Sequence, residues 1–181
     1  MKKIPIVLVS VLAGCLMSAA ALAQTSMIVQ IEANGEVITT GEGGIPLGGV
    51  DTIDYAFVLN YGWTGELALD ASSGLPGSRE KYGPLRIVKP LARSSVLLRK
   101  ALDQNQDIDL ELRLFATDGT GSVQEVYRID LSNGRVAGIR PFSDGDSAQY
   151  LEEVRFAWQS IEFTDVQTGT SHVVQFPPAT N

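Results

Sequence analysis

The chain has 181 residues, of which 44% are hydrophobic, and its 14 Lys and Arg against 21 Asp and Glu give a formal net charge of −7. This length suits one domain with a sizeable core. The acidic balance disfavours a basic nucleic-acid-binding surface. One Cys and one His exclude a disulfide framework and a multi-Cys or multi-His metal site within a monomer. We therefore expect no nucleic acid, metal or cofactor.

The first 23 residues are typical of a secretory signal peptide. Two lysines precede an apolar run from Ile4 to Leu16, and Ala21-Leu22-Ala23 forms a small-x-small cleavage site. We predict export by the Sec pathway, cleavage after Ala23 and a periplasmic or secreted domain of residues 24–181. Removal of residues 1–23 would change the net charge to −9. No membrane association is expected after cleavage.

A second interpretation of the same segment is lipidation. Leu12-Ala13-Gly14-Cys15 has the form of a lipobox, which would make Cys15 a lipid-modified N-terminus. The apolar run continues past Cys15 to Ala23, whereas a lipoprotein usually turns polar after the modified cysteine. This favours cleavage after Ala23.

From Gln24 onward the hydrophobic period is two, which indicates strands with one buried face. The clearest case is Ile108 to Leu114, where apolar residues alternate with charged ones. Residues 53–59 repeat the pattern, with Ile53, Tyr55, Phe57 and Leu59 predicted on the core side. A third predicted face holds Val123, Tyr127, Ile129 and Leu131.

A last run, residues 151–163, changes phase. Trp158 and the alternating residues before it share one face, whereas Ile161 and Phe163 belong to the other. A one-residue bulge near Gln159-Ser160 would bring both sets inward.

Turn and helix signals complete the pattern. Asn34-Gly35 and Asn133-Gly134 are typical of tight hairpin turns with positive φ. Ser94 or Ser95 is predicted to cap one short helix that continues to about Gln104. The sequence therefore predicts a mainly β, single-domain antiparallel β-barrel or sandwich with one short α-helix.

Four features of the sequence suggest a binding or catalytic site, but each has a structural explanation. Gly41–Gly49 lacks the Lys-Ser/Thr ending of a phosphate loop, so we expect a flexible loop. The alternating acids of residues 103–109 lack the glycine and glutamate of a calcium loop. His172 lies in a predicted strand without a nucleophile elbow. Trp63 and Trp158 could form a stacking platform, although the phase of Trp158 favours the core. We predict no catalytic residue.

Several segments in the second half of the chain carry a resemblance to a known family. They are Gly83–Lys89, Arg93–Ser95, the predicted helix Leu97–Leu102, Ile108–Phe115, Tyr127–Leu131 and Leu151–Phe156. In this order the chain resembles the haemolysin-coregulated protein (Hcp) family, the tube proteins of type VI secretion. The resemblance extends from about Ser72 to Asp165.

The resemblance implies a structural role without enzymatic activity. Family members form homohexameric rings that stack into a hollow tube, which a sheath propels and a spike protein caps, and small effectors can ride in the lumen. The loop that helps rings stack would fall at residues 71–82. Its candidate residues are Ser72, Ser73, Gly74, Leu75, Pro76, Gly77, Arg79 and Lys81.

Three departures leave other functions open. Ala92 stands where the family often has Asp, and Val96 where it often has Pro. The predicted signal peptide is the third departure, because tube subunits are loaded from the cytoplasm. The alternatives are an exported protein that forms rings or filaments without a contractile machine, a monomeric periplasmic binding barrel, and a secreted hydrolase that uses His172.

Overall fold

A computed structural model describes residues 25–69, 76–145 and 149–176, so the predicted signal peptide and Cys15 lie outside the described residues. Within this part the chain forms twelve strands and one helix. Their bounds are β1 Thr25–Ala33, β2 Glu36–Val37, β3 Ala56–Val58, β4 Asn60–Gly62, β5 Gly65–Leu69, β6 Pro76–Tyr82, β7 Leu85–Pro90, α1 Arg93–Asp103, β8 Ile108–Thr117, β9 Val123–Asp144, β10 Gln149–Ala157, β11 Ser160–Asp165 and β12 Thr170–Gln175.

The strands pair in antiparallel fashion in the order β2-β1-β8-β9-β10-β7-β4, while β11 joins β9 to β12 and β3 pairs with β1. The long strand β9 pairs with β8 and β11 in its first half and with β10 in its second half. It therefore passes from one layer of strands to the other. The mainly β, sandwich-like fold with one helix confirms the predicted fold class.

The core lies between these layers and under α1. Ile108, Leu110 and Leu112 of β8 are buried, as their alternation predicts, and Leu98 and Ala101 seal the helix against the same cluster. Full burial of one such leucine contributes about 2 kcal/mol. The helix is thus held by its apolar face.

The two Asn-Gly signals have different outcomes. Asn34 and Gly35 both have positive φ and join β1 to β2, which confirms the first hairpin. The second prediction is wrong, because β9 runs through Asn133 and Gly134 without reversing. A Cβ on Gly134 would lie 2.5 Å from Leu131 Cδ2 and 2.8 Å from the Ala157 carbonyl oxygen. Glycine is needed there for close packing rather than for a turn.

The strand predicted over residues 53–59 is only three residues long, Ala56–Val58, and the side chains of this region pack into two different clusters. Ile53 and Leu59 are 57% and 49% exposed, which contradicts their predicted place in the core. Ala56 and Val58 reach the main core, whereas Tyr55 packs in a second cluster with Phe115. Alternation cannot identify the core side of a three-residue strand whose two faces are both covered.

Of two further phase predictions, one is corrected and one is confirmed. Val123 packs in the second cluster, apart from Ile129 and Leu131, because the pairing of β8 with β9 shifts register between Leu114 and Phe115. The chain from residue 151 to 163 does change phase where predicted.

The cause of that phase change is an interruption rather than a bulge. Strand β10 ends at Ala157 and β11 begins at Ser160. Trp158 and Ile161 both reach the main core across the break. The bulge in this ladder lies elsewhere, between Arg155 and Phe156.

Candidate functional site: the β5–β6 hairpin and a buried ion network

Strands β5 and β6 form a hairpin that stands apart from the main sheet. Gly65 pairs with Tyr82, Glu66 with Lys81 and Leu67 with Glu80, and neither strand pairs with any other in the described part of the chain. Both outer edges therefore offer unpaired backbone groups. Leu67 is 45% exposed. A lone two-stranded hairpin is marginally stable, so its base must hold it.

Aromatic rings anchor that base. Trp63 stacks on Tyr82 with ring centroids 5.7 Å apart and meets Phe163 of β11 at 4.8 Å. Tyr82 also lies 5.8 Å from Trp158, which is buried in the core as its phase predicts. Such aromatic pairs add about 0.5–1.5 kcal/mol each beyond the area they bury. These contacts hold the base of the hairpin against the core.

Two glycines make this close packing possible. A Cβ on Gly65 would lie 2.7 Å from the Trp63 ring, and one on Gly83 would collide with Thr64 Oγ1. The Gly83 amide donates a hydrogen bond to the Thr64 carbonyl at 2.8 Å, and Trp158 Nε1 donates to the Gly83 carbonyl at 3.1 Å. These bonds join the exit of the hairpin to the core.

The predicted stacking residues fall in and around this hairpin. Ser72, Ser73, Gly74 and Leu75 lie outside the described residues. Pro76, Gly77, Arg79 and Lys81 belong to β6. The Lys81 side chain is exposed. Their role in ring stacking stays a prediction.

A second feature lies near the end of β7, where a buried cation joins two carboxylates. Lys89 of β7 is fully buried, with Nζ 3.4 Å from Glu42 Oε2 and 3.3 Å from Glu152 Oε1. The ammonium also donates to the Pro90 carbonyl at 3.1 Å. Glu152 lies in β10, whose pairing with β7 places it directly opposite Lys89.

Glu42 also caps the helix. The Ser94 amide donates to Glu42 Oε1 at 2.5 Å, and Ser94 Oγ donates to Oε2 at 2.9 Å. A carboxylate at this position satisfies an unpaired amide and the positive end of the helix dipole. The glycine-rich stretch predicted as a flexible loop thus carries an anchoring residue.

Neither serine occupies the predicted N-cap position, although Ser95 takes part in capping from the third helical position. Ala92 is the N-cap residue, and Ser95 Oγ accepts a hydrogen bond from its amide at 2.9 Å. Ser95 Oγ also donates to Glu152 Oε1 at 2.7 Å. Glu42 was missed because it is distant in sequence, although the polar residues within predicted buried segments were a signal of such a network.

Comparison with known proteins identifies the chain. A family model described as "Type VI secretion system effector, Hcp" matches residues 51–164, more than half of the sequence. The chain belongs to the Hcp family. A search of curated proteins finds no significant match.

Solved Hcp structures share the fold. One, a crystal structure of an Hcp protein, superposes with a TM-score of 0.75 at 18% identity and covers 83% of this chain and 99% of its own. A mutant of Hcp1 from E. coli EAEC 042 gives 0.70 at 19% identity, covering 83% and 97%. The secreted protein Hcp3 from Pseudomonas aeruginosa gives 0.67 at 21%, covering 85% and 99%.

The region matched to the Hcp family contains the hairpin, α1, Lys89 and Glu152, while Glu42 precedes it. Family segments that are separate in sequence therefore meet in one buried network. Because Lys89 and Glu152 are sealed from solvent, this network stabilises the fold rather than offering groups to a substrate. In the described part, no helix has the length and apolarity to cross a membrane.

The face of β8 that points away from the main core carries a charged network beside the second apolar cluster. Glu111 of β8 accepts hydrogen bonds at 2.5 Å from Tyr55 and from Arg113. Burial favours a higher pKa for Glu111, but these hydrogen bonds and the charges of Arg113 and Arg128 together lower the pKa below its ordinary value. The pKa of Tyr55 is raised mainly by burial and, to a smaller extent, by its hydrogen bond to Glu111.

A carboxylate on the same face lacks such support. Asp130 of β9 lies directly opposite Glu111 on one side and Glu162 on the other. Burial and then the Glu111 charge raise the pKa of Asp130. No group of three metal-ligating side chains occurs among the residues that the structure describes.

His172 occupies β12, opposite Phe163, at an exposed position. This agrees with the plain strand position predicted for it. Its ring borders an apolar pocket beneath the hairpin.

Proposed function

We propose that this Hcp-family chain is a structural subunit that forms hexameric rings, which stack into the hollow tube of a type VI-like secretion machine. Membership of the family is the observation that carries the proposal. The ring would place copies of this chain side by side, with small effectors in its lumen and sheath and spike proteins as further partners. The work of the molecule is then self-association rather than catalysis.

The hairpin supports this proposal physically. A ring needs a head-to-tail contact that closes after a fixed rotation, and stacking needs a second contact along the axis. A protruding hairpin with two unpaired edges can add its strands to a neighbour. Exposed Leu67 adds an apolar contact at the same place. We assign the stacking contact to the hairpin, including Pro76, Gly77, Arg79 and Lys81 of β6.

The first test is the assembly state of the protein purified from periplasm or medium, which we expect to begin at Gln24. We expect rings of six subunits by negative-stain microscopy, and a hexamer mass by light scattering. A particle that stays monomeric at every concentration would contradict the proposal.

The second test separates stacking from ring formation. Leu67→Lys should leave single rings while shortening or abolishing stacks, because the introduced charge must be desolvated at the contact. Ile45→Lys is a matched control, since Ile45 is also apolar and 68% exposed but lies outside the hairpin. Equal loss of stacks in both variants would show that the hairpin does not form the stacking contact.

The predicted export signal favours a second function. An Hcp-family protein sent to the periplasm by the Sec pathway would form rings or filaments on the outer side of the inner membrane. Cell fractionation in strains with and without sheath genes separates the two. Processed rings that persist without any sheath support the second function, and cytoplasmic unprocessed protein supports the first.

A further inference from the structure

Three arginines lie together on the outer side of the layer formed by β4, β7, β10 and the second half of β9. Arg86 and Arg155 alternate with buried residues of β7 and β10, so their side chains point away from the core. Arg140 of β9 lies opposite Glu153 of β10 on the same side. The side chains of Arg86, Arg155 and Arg140 are 40%, 52% and 69% exposed. We call these three residues and Glu153 the arginine face.

One carboxylate serves all three cations of this face. Glu153 Oε2 lies 3.2 Å from Arg86 Nη1 and 3.8 Å from Arg140 Nη2, and Glu153 Oε1 lies 3.9 Å from Arg155 Nε. Arg86 and Arg155 also lie directly opposite each other in the ladder, a position in which like charges repel. Among the residues that the structure describes, no other carboxylate forms an ion pair with these arginines. The face therefore has two positive charges in excess.

Glycines on both flanks leave room for the guanidinium groups. Gly62 lies opposite Arg86, and Gly138 lies opposite Arg155. A Cβ on Gly62 would lie 3.2 Å from Arg86 Nη2, and one on Gly138 would lie 3.1 Å from Arg155 Nη2. The two side chains thus extend sideways over the neighbouring strands, and the charge is spread over a surface that a partner protein can cover.

The outer side of the other layer has the opposite charge. Glu32 of β1 lies directly opposite Asp109 of β8, and Asp130 of β9 lies directly opposite Glu162 of β11. In the described part of the chain, none of these four carboxylates forms an ion pair. We call the four residues the acidic face.

The acidic face carries repulsion that a cationic partner would relieve. Like charges directly opposite each other destabilise a sheet. Glu32, Asp109 and Asp130 also border one depression of about 170 Å³ together with Glu111. A guanidinium group that enters this depression meets several carboxylates at once, and Arg140, the most exposed cation of the arginine face, can supply such a group.

The two faces point in opposite directions, because the layers pack together through their buried sides. A head-to-tail contact requires two different surfaces on one chain, each of which meets the other surface on a neighbouring copy. Opposite charges on such surfaces select the partner and its orientation. A second copy of this chain is therefore the partner whose charge matches both faces.

We propose that the arginine face of one copy docks on the acidic face of the next, and that this contact joins neighbours within a ring. The inference rests on the proposed function and deepens it. It names the contact between subunits of one ring, whereas the β5–β6 hairpin is assigned to the contact between rings.

Charge reversal of each face tests the proposal in the protein purified as above. Arg140→Glu with Arg155→Glu makes the arginine face negative. Glu32→Lys with Asp109→Lys and Glu162→Lys makes the acidic face positive. Each variant alone then presents two faces of like charge, so we expect the hexamer mass in light scattering and the rings in negative-stain images to be lost.

Mixing the two variants provides the decisive measurement. The copies can alternate around a ring of six, and every contact again joins opposite charges. We therefore expect equal amounts of the two variants to restore hexamers. Recovery also shows that both variants are folded, and circular dichroism checks each of them alone.

Neutral variants serve where a reversal variant does not fold. Arg140→Gln and Glu162→Gln should each raise the subunit concentration at which hexamers form about two- to fivefold, the effect of one partly exposed ion pair. Arg99→Glu with Lys100→Glu is the matched control for the first reversal. It makes the same change in net charge at exposed positions of α1, outside both faces, and should leave rings intact.

Three results would overturn the inference. They are rings of ordinary stability in either reversal variant alone or in both neutral variants, equal loss of rings in the α1 control, and folded reversal variants whose mixture forms no hexamer. Rings that are lost only when the arginine face is reversed would assign that face to another partner. An unchanged protein that forms no ring would instead contradict the proposed function itself.

Discussion

Replacing Lys89 by methionine tests the energetic role of the buried network. Methionine retains the length of the side chain but removes the ammonium that lies between Glu42 and Glu152. Two buried carboxylates then face each other without a counter-charge. We expect a large loss of folding stability.

The geometry sets the size of that loss. At 3.3 Å the attraction between Lys89 and Glu152 is about 5 kcal/mol with an effective dielectric constant of about 20. Desolvation of the ions offsets much of this attraction, but removing one partner of a buried pair typically costs about 3–5 kcal/mol. We expect a loss of about 4 kcal/mol, a large part of the about 5–15 kcal/mol that stabilises a domain.

Urea unfolding followed by circular dichroism measures this change through the midpoint and the slope. Lys100→Met is the matched control, because Lys100 is exposed in the last turn of α1 and its loss should cost less than about 1 kcal/mol. The double variant Lys89→Met with Glu152→Gln should lose less stability than the two single losses added together, since it also removes one of the two carboxylates left without a counter-charge.

The reasoning fails if Lys89→Met is no more destabilising than Lys100→Met. It also fails if the Lys89 and Glu152 effects simply add, because additivity would mean that the two charges do not interact. Either result would show that water reaches the network.

Two other changes test the packing and the charges of the sheet. Gly134→Ala should cost about 1–3 kcal/mol in urea unfolding, because its Cβ would lie 2.5 Å from Leu131 Cδ2, whereas Gly119→Ala, with open space around it, should change stability by less than about 0.5 kcal/mol. Asp130→Asn should raise stability by about 0.5 kcal/mol at pH 7, since it removes a charge opposite Glu111. The raised pKa of Asp130 means that its charge destabilises the fold above its ordinary value of 3.8, so the gain should vanish below about pH 3.8. A gain that persists there, or equal losses in both alanine variants, would contradict these assignments.

Local pattern was sufficient for the regular elements. The alternation of Ile108–Leu114 and the apolar spacing of Leu98 and Ala101 predict a strand and a helix that the structure contains. Both elements are long enough for one buried face to dominate the pattern. The short strand around Ala56 is not, and there the prediction chose the wrong residues.

The candidate site was predicted only in part. A family resemblance pointed to residues 71–82, and β6 occupies the described part of that region, while its partner β5 precedes it. The aromatic base was not predicted, since Trp63 and Phe163 are far apart in sequence and meet only through the packing of the hairpin on β11. The same holds for Asn133-Gly134, where close packing rather than turn geometry explains the glycine.

The order of residues by itself determined the β-rich class, the place of the single helix and the resemblance to the Hcp family, because each depends on neighbours within a few positions along the chain. Only the tertiary structure decided which carboxylate caps α1 and which cation it shares with Glu152. It also decided that one tryptophan is satisfied while the other has a free donor. Such pairings depend on side chains brought together from distant segments, and no local periodicity encodes them.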